Sequence, residues 1–254
     1  MKLIACVLFA AGVAVSPARA ASAIQLYDQG RYEQAVTAGA SENDAQGLAV
    51  AARAELAREL MRDEPCMECL ERAAAYAQRS IDADPKLAEG HIYLAVTLGY
   101  EARIIGTIAA RFKGFAERAK SEIDTAIADD PKNAWAWAAL GGWNIEVVHG
   151  GGKTLAKWLY GASVQDGLED FKKSFAADPD NLVLRSQYAI TLAAYDQERF
   201  HGEIAAALAT AVAAKPHTAY ETFAQGRTKA LLSAFNSGDM ATFDRLVRHD
   251  QGYP

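Results

Sequence analysis

Small and apolar residues recur at three- and four-residue spacing through most of the chain, and four such stretches close on a proline. They read "ERAAAYAQRSIDADP", "FAERAKSEIDTAIADDP", "GLEDFKKSFAADP" and "IAAALATAVAAKP", with Pro85, Pro131, Pro179 and Pro216 at intervals of 46, 48 and 37 residues. Proline has no N–H to donate and its ring disfavours helical geometry in the residue before it, so each step ends a helix. A new apolar-periodic run begins within a few residues: "LAEGHIYLAVTLGY", "NAWAWAALGGWNIEVV" and "LVLRSQYAITLAAY". Each interval therefore holds two helices, and a period of this size indicates an array. The expectation for residues 21–254 is an all-α chain of about six antiparallel hairpins in a right-handed solenoid, because no hairpin buries its apolar face alone.

The residues of these runs resemble the tetratricopeptide repeat. Trp137, Leu140 and Gly141 stand at the Trp, Leu and Gly positions of a first helix, and Ala119, Ile123, Ala126 and Pro131 fill the landmarks of a second. "YDQGRYEQAV" matches the turn between helices, with Gly30, Tyr32 and Ala35 in place, and "NSGDMATF" repeats it at Gly238. His91 and Arg185 occupy positions where that repeat prefers Trp, and the long intervals carry insertions. One insertion, "HGGGKTLAKWLYGASVQDGLEDF", follows a Trp-rich helix and leads into a second helix, and is similar to the tetratricopeptide-like proteins related to regulators of microtubule dynamics.

The N-terminus changes the picture. Lys2 precedes an apolar run from Leu3 to Val15, and Ala18-Arg19-Ala20 is a small-x-small site, the pattern of a secretory leader cleaved near Ala20. Residues 1–20 are expected to be removed, Cys6 with them, and the protein to work in the periplasm or outside the cell. Loss of Lys2 and Arg19 lowers the basic count from 26 to 24 against 32 acidic residues, moving the formal charge from −6 to −8. A modestly acidic chain with none of the aromatic-basic motifs of RNA or single-strand binders is no general nucleic-acid binder. No transmembrane segment is expected in the remainder.

Catalytic motifs are missing from the linear pattern. "GGGKT", Gly150 to Thr154, has Val147 where a phosphate-binding loop requires glycine, and it follows a helical run instead of a strand. His91, His149, His201, His217 and His249 are scattered, with no H-E-x-x-H spacing, and no G-x-S-x-G elbow occurs. No cofactor, metal set or enzymatic activity is expected. Cys66 and Cys69 remain in the exported chain, just after Pro65 and on the first turn of a helix. Leu70 excludes haem attachment, and no second cysteine pair completes a zinc site. A local disulfide is the main reading, thiol–disulfide exchange the alternative.

Two surfaces are left to carry function. The resemblance implies a concave groove lined by first helices, with Glu89, Ile92 and Val96 in one unit, Trp135, Ala138, Gly142 and Ile145 in the next, and Val183, Ser186 and Ile190 in the third. Trp135 and Trp137 lie about 200° apart around a helix, so they cannot share one face. A second, basic-aromatic surface collects Arg103, Arg111, Lys113, Arg118 and Lys120 in one insertion and Lys153, Lys157, Trp158 and Tyr160 in the other. It suits an anionic peptide or lipid headgroup in peripheral contact. The functional expectation is a scaffold that binds a protein or peptide through its concave face; the alternative is a transport accessory or ligand binder with an apolar pocket between helices.

Overall fold

The computed structural model describes residues 21–253, and among them it contains helices and no strand. Six hairpins follow one another. The first pairs α1 (Ala23–Asp28) with α2 (Tyr32–Glu42), and the second pairs α3 (Ala45–Leu60) with α4 (Met67–Ala83). In the third, α5 (Ala88–Ile105) pairs with α7 (Phe115–Asp129) and the short α6 (Thr107–Phe112) lies between them. The fourth repeats that arrangement with α8 (Ala134–Gly151), the short α9 (Lys153–Tyr160) and α10 (Val164–Ala177). The fifth is α11 (Leu182–Asp196) with α12 (His201–Ala213), and the sixth α13 (Ala219–Ser237) with α14 (Met240–Asp250). The all-α helical repeat expected from the periodicity is the fold the chain adopts. The leader and Cys6 lie outside the described residues.

The turns between hairpins repeat in atomic detail. The N–H groups of Asp84, Asp130 and Asp178 donate to the carbonyls of Ser80, Ala126 and Ser174, closing α4, α7 and α10. The side chains of Asn133 and Asn181 then accept from the first N–H groups of α8 and α11, which satisfies donors a helix start leaves orphaned. Six residues after each proline a side chain reaches back to the proline carbonyl. Trp137 Nε1 donates to Pro131 at 2.9 Å, Arg185 Nη2 to Pro179 at 3.4 Å, and His91 Nε2 faces Pro85 at 2.9 Å. What recurs at this position is a hydrogen-bond donor rather than an aromatic ring.

Close packing depends on small residues where the repeat resemblance placed them. Ala119, Ile123 and Ala126 are buried. Gly141 of α8 lies so near α10 that a Cβ would sit 2.9 Å from the Gly167 carbonyl oxygen and 2.7 Å from the Phe171 ring. Only hydrogen fits at that crossing.

The array does not stay open. The sixth hairpin packs on α11, α13 reaches as far as α1, and the C-terminal end of α14 lies near Leu60 of α3 and Tyr100 of α5. Tyr27 and Tyr220 pack with ring centroids 6.5 Å apart, and Arg227 donates to the Leu60 carbonyl at 2.9 Å while pairing with Asp250. Burial raises the Tyr220 hydroxyl well above the ordinary tyrosine range and the Asp250 carboxyl above the carboxylate range, the latter opposed by Arg227.

Candidate functional site

This closure covers the α11 part of the expected groove. Ile92 is buried against Ala88, Ala126 and Ala136, while Ala138, Ile145 and Ile190 sit inside the main core. Val183 packs with Leu182 and Ala211, and Val96 against Leu56, Leu70 and Tyr100. Ser186 accepts a hydrogen bond from Thr228 of α13 at 2.9 Å, so the very face expected to receive a peptide is occupied by the chain's own C-terminal hairpin. Between α11 and α13 only about 30 Å³ of space is left, beside Val183, Ser186 and Ile190. Glu89 and Gly142 are half-buried, and Trp135 alone of the ten is exposed. Apolar residues surround nearly the whole circumference of α8 and α11, and that pattern, typical of a helix covered on every side, is the signal the groove reading passed over.

The insertions frame a different space. A cavity of about 530 Å³ lies between α5, α7, α8 and α11, with α6 and α9 at its edge and Gln251 and Tyr253 contributed by the C-terminus. Its wall is mainly apolar: Leu98, Ala102, Phe115, Ala119, Trp143, Ile145, Leu155 and Ala194 all contribute. Trp143, not singled out by the repeat pattern, anchors the rim. Its indole N–H donates to the Ala116 carbonyl at 2.9 Å and its ring meets Tyr160 of α9 edge-on at 6.1 Å. A second, more open depression of about 600 Å³ lies over Glu117, Lys120, Ser121 and Asp124 of α7 and is bounded by Trp143, Leu159 and Tyr160.

Arg103 belongs to this cavity and not to an outer cationic surface, which corrects its expected placement. Its guanidinium stacks 4.8 Å from the Tyr100 ring and pairs with Glu146, and its buried Nε has no acceptor. Burial pushes the Tyr100 hydroxyl up to about 12. His149, Thr107, Thr191 and Tyr195 supply further polar atoms of the lining, with Arg111, Tyr160, Gln251 and Tyr253. Such a wall, apolar with a few polar groups, has the character of a small-molecule pocket.

The rest of the basic-aromatic set lies where the insertions project. Arg111, Lys113, Lys153 and Lys157 are exposed, and Trp158 is 79 % exposed. Tyr160 instead turns inward to Trp143. Of the other two insertion residues, Arg118 donates to Gln78 and Lys120 pairs with Asp124. Ile108, Phe112, Leu155 and Leu159 join the exposed apolar set, and none was visible as a surface residue in the linear pattern.

Cys66 and Cys69 are bonded to each other at the start of α4, where Cys66 is the cap residue. Glu59 of α3 lies beside them. Its Oε1 accepts from the Cys66 N–H at 2.7 Å, its Oε2 is buried without a donor in hydrogen-bond range, and burial raises its carboxyl above the ordinary range. The three side chains bring potential ligand atoms within 4.8 Å of one another, but bonded sulfurs carry no thiolate charge to hold a cation.

No helix among the described residues is long and apolar enough to cross a membrane. No curated protein matches the chain. Residues 21–236, almost the whole hairpin array, match the family model described as Regulator of microtubule dynamics protein 1-3, and the chain therefore belongs to that family.

Proposed function

We propose that the protein is a non-catalytic binding module that holds a largely apolar small molecule between its third and fourth hairpins. The observation that carries this reading is the apolar cavity of about 530 Å³ at the two insertions, with Arg103 among the few charged residues of its lining. A ligand with an apolar body and one accepting or anionic group fits that lining. Peptide capture in a concave groove is less favoured, since α13 and α14 pack on α11 over the Val183, Ser186 and Ile190 part of that face. The family's name refers to microtubule dynamics; the leader-like pattern of residues 1–20 together with the Cys66–Cys69 disulfide supports an exported protein in an oxidising compartment, and we propose that location.

Filling the cavity tests the reading. Gly99 lines it, and a Cβ there meets nothing within 4 Å, so Gly99→Phe projects a ring into the space without a backbone clash. An apolar fluorophore such as anilinonaphthalene sulfonate should brighten with the native protein and at least tenfold less with Gly99→Phe at unchanged melting temperature. Native mass spectrometry should find co-purified ligand on the first protein and none on the second. Equal fluorescence in both would remove the cavity as the binding site.

Thiol–disulfide exchange is a second reading, supported by Glu59 beside the disulfide. Its carboxyl, kept protonated to higher pH by burial, could hand a proton to the sulfur that leaves when an external dithiol attacks. Glu59→Gln should then alter the pH dependence of reduction by dithiothreitol, whereas an unchanged profile leaves a structural staple.

A further inference from the structure

The two insertion helices carry the chain's most exposed large apolar side chains. On α6, Ile108 and Phe112 are four apart and 77 % and 89 % exposed; on α9, Leu155, Trp158 and Leu159 form an i, i+3, i+4 stripe. A helix stripe of this kind normally faces a core. Here the opposite face does so, through the buried Ala110 and Ala156, leaving two apolar faces outward at the rim of one cavity.

The charges beside them point to the occupant. Arg111, Lys113 and Lys153 enter no ion pair among the described residues, and Lys157 has only a 3.6 Å contact with the exposed Asp166. On a chain whose formal charge is −6, this is a local cationic rim around protruding aromatic and aliphatic tips. Protein interfaces deplete lysine relative to the rest of the surface. Helices that lie at a bilayer surface combine Lys and Arg with Trp, Phe and Leu, the apolar tips entering the acyl boundary and the cations meeting lipid phosphates.

We propose that α6 and α9 together dock the protein onto an anionic lipid bilayer, presenting the cavity rim to the membrane. The bilayer is the partner; each insertion supplies two or three apolar tips and two cations. Docking of this type is reversible and carries no chemical step. It does not depend on the cavity reading: Ile108, Arg111 and Leu155 also line the cavity's edge, but Phe112, Lys113, Lys153 and Trp158, the positions that test docking, do not, and the fluorophore assay runs without lipid.

Flotation of the leaderless chain with vesicles is the test. Vesicles of phosphatidylcholine with about a third phosphatidylglycerol should carry the protein up the gradient, vesicles of phosphatidylcholine alone much less, and brominated acyl chains should quench tryptophan fluorescence. Phe112→Ser with Trp158→Ser should abolish flotation and quenching. Lys113→Gln and Lys153→Gln should each weaken binding about fivefold, the scale for one cation at an anionic surface. All four positions are exposed, so melting temperatures should not move. Failure of the wild type to float, or flotation unaffected by these substitutions, would overturn the proposal. Loss of concentration-dependent self-association in Phe112→Ser, without vesicle binding by the wild type, would overturn it in favour of a second copy of the chain.

Discussion

The second and third hairpins differ at one point, and the cavity follows from it. Between α3 and α4 the chain turns through a few residues clipped by Cys66 and Cys69, and the interior is filled: Leu48, Ala51, Ala52 and Ala54 of α3 have almost no exposure. Between α5 and α7 the turn is replaced by α6, and at the next hairpin by α9, and there the helices leave a space that no side chain fills. Repeats of one design thus yield packing where the turn is short and a binding site where it is enlarged. Loops tolerate such insertion because the cost of closing a longer loop grows only slowly with its length.

The sharpest way to break this contrast is to delete the same ring on each side of it. Phe171→Ala empties a fully buried site in α10 and should cost about 3–5 kcal/mol, read by urea unfolding. Phe112→Ala removes an equally large side chain from α6 and should stay within about 0.5 kcal/mol. If both destabilise alike, the insertion is part of the core and the comparison fails.

Glycines give a second, smaller test. Gly141→Ala forces a methyl against the Gly167 carbonyl and Phe171, and we expect a loss of about 1–3 kcal/mol. Gly99→Ala projects into the cavity from the interior of α5, so the better helix propensity of alanine should raise stability by about 0.5–1 kcal/mol. Opposite signs in thermal melts would confirm that one crossing is tight and the other open.

Reducing the clip should matter less. The Cys66–Cys69 loop is so short that breaking it should cost no more than about 2 kcal/mol on the chain-entropy model, as a modest fall in melting temperature with dithiothreitol. The smallest effect belongs to Glu59. Its carboxyl titrates higher in the folded chain than in the unfolded one. Folding therefore favours its protonated form, and its contribution is most favourable below the unfolded value and is lost as pH rises through the folded one. Glu59→Gln should flatten that fall on the alkaline side of the ordinary carboxylate range.

Much of the fold was legible because its signals are local. Proline steps, buried Ala119 and Ala126, and the Asn133 and Asn181 caps all act within a few residues, and the structure repeats them turn by turn. His91 and Arg185 looked like departures from the repeat, yet each makes the same reach to a proline carbonyl as Trp137; the shared chemistry shows only in three dimensions. The covering of α11 was hidden for a different reason. Ser186 meets Thr228 across 42 residues of sequence, and no periodicity on α11 states what lies opposite. Exposure of Ile108 and Trp158 was equally hidden, because a stripe at helical spacing reads the same whether it faces a core or a membrane.

Contact between the two ends has a kinetic meaning. In an open repeat array each unit touches only its neighbours, so folding can start at any unit and spread. Here Arg227 bonds to Leu60 across 167 residues, and Tyr220 meets Tyr27. Those contacts raise the mean sequence separation of native pairs, which slows folding relative to a helical chain with local contacts alone. They also tie the outermost hairpins to each other, so loss of the first hairpin by proteolysis would uncover faces of both α3 and α13.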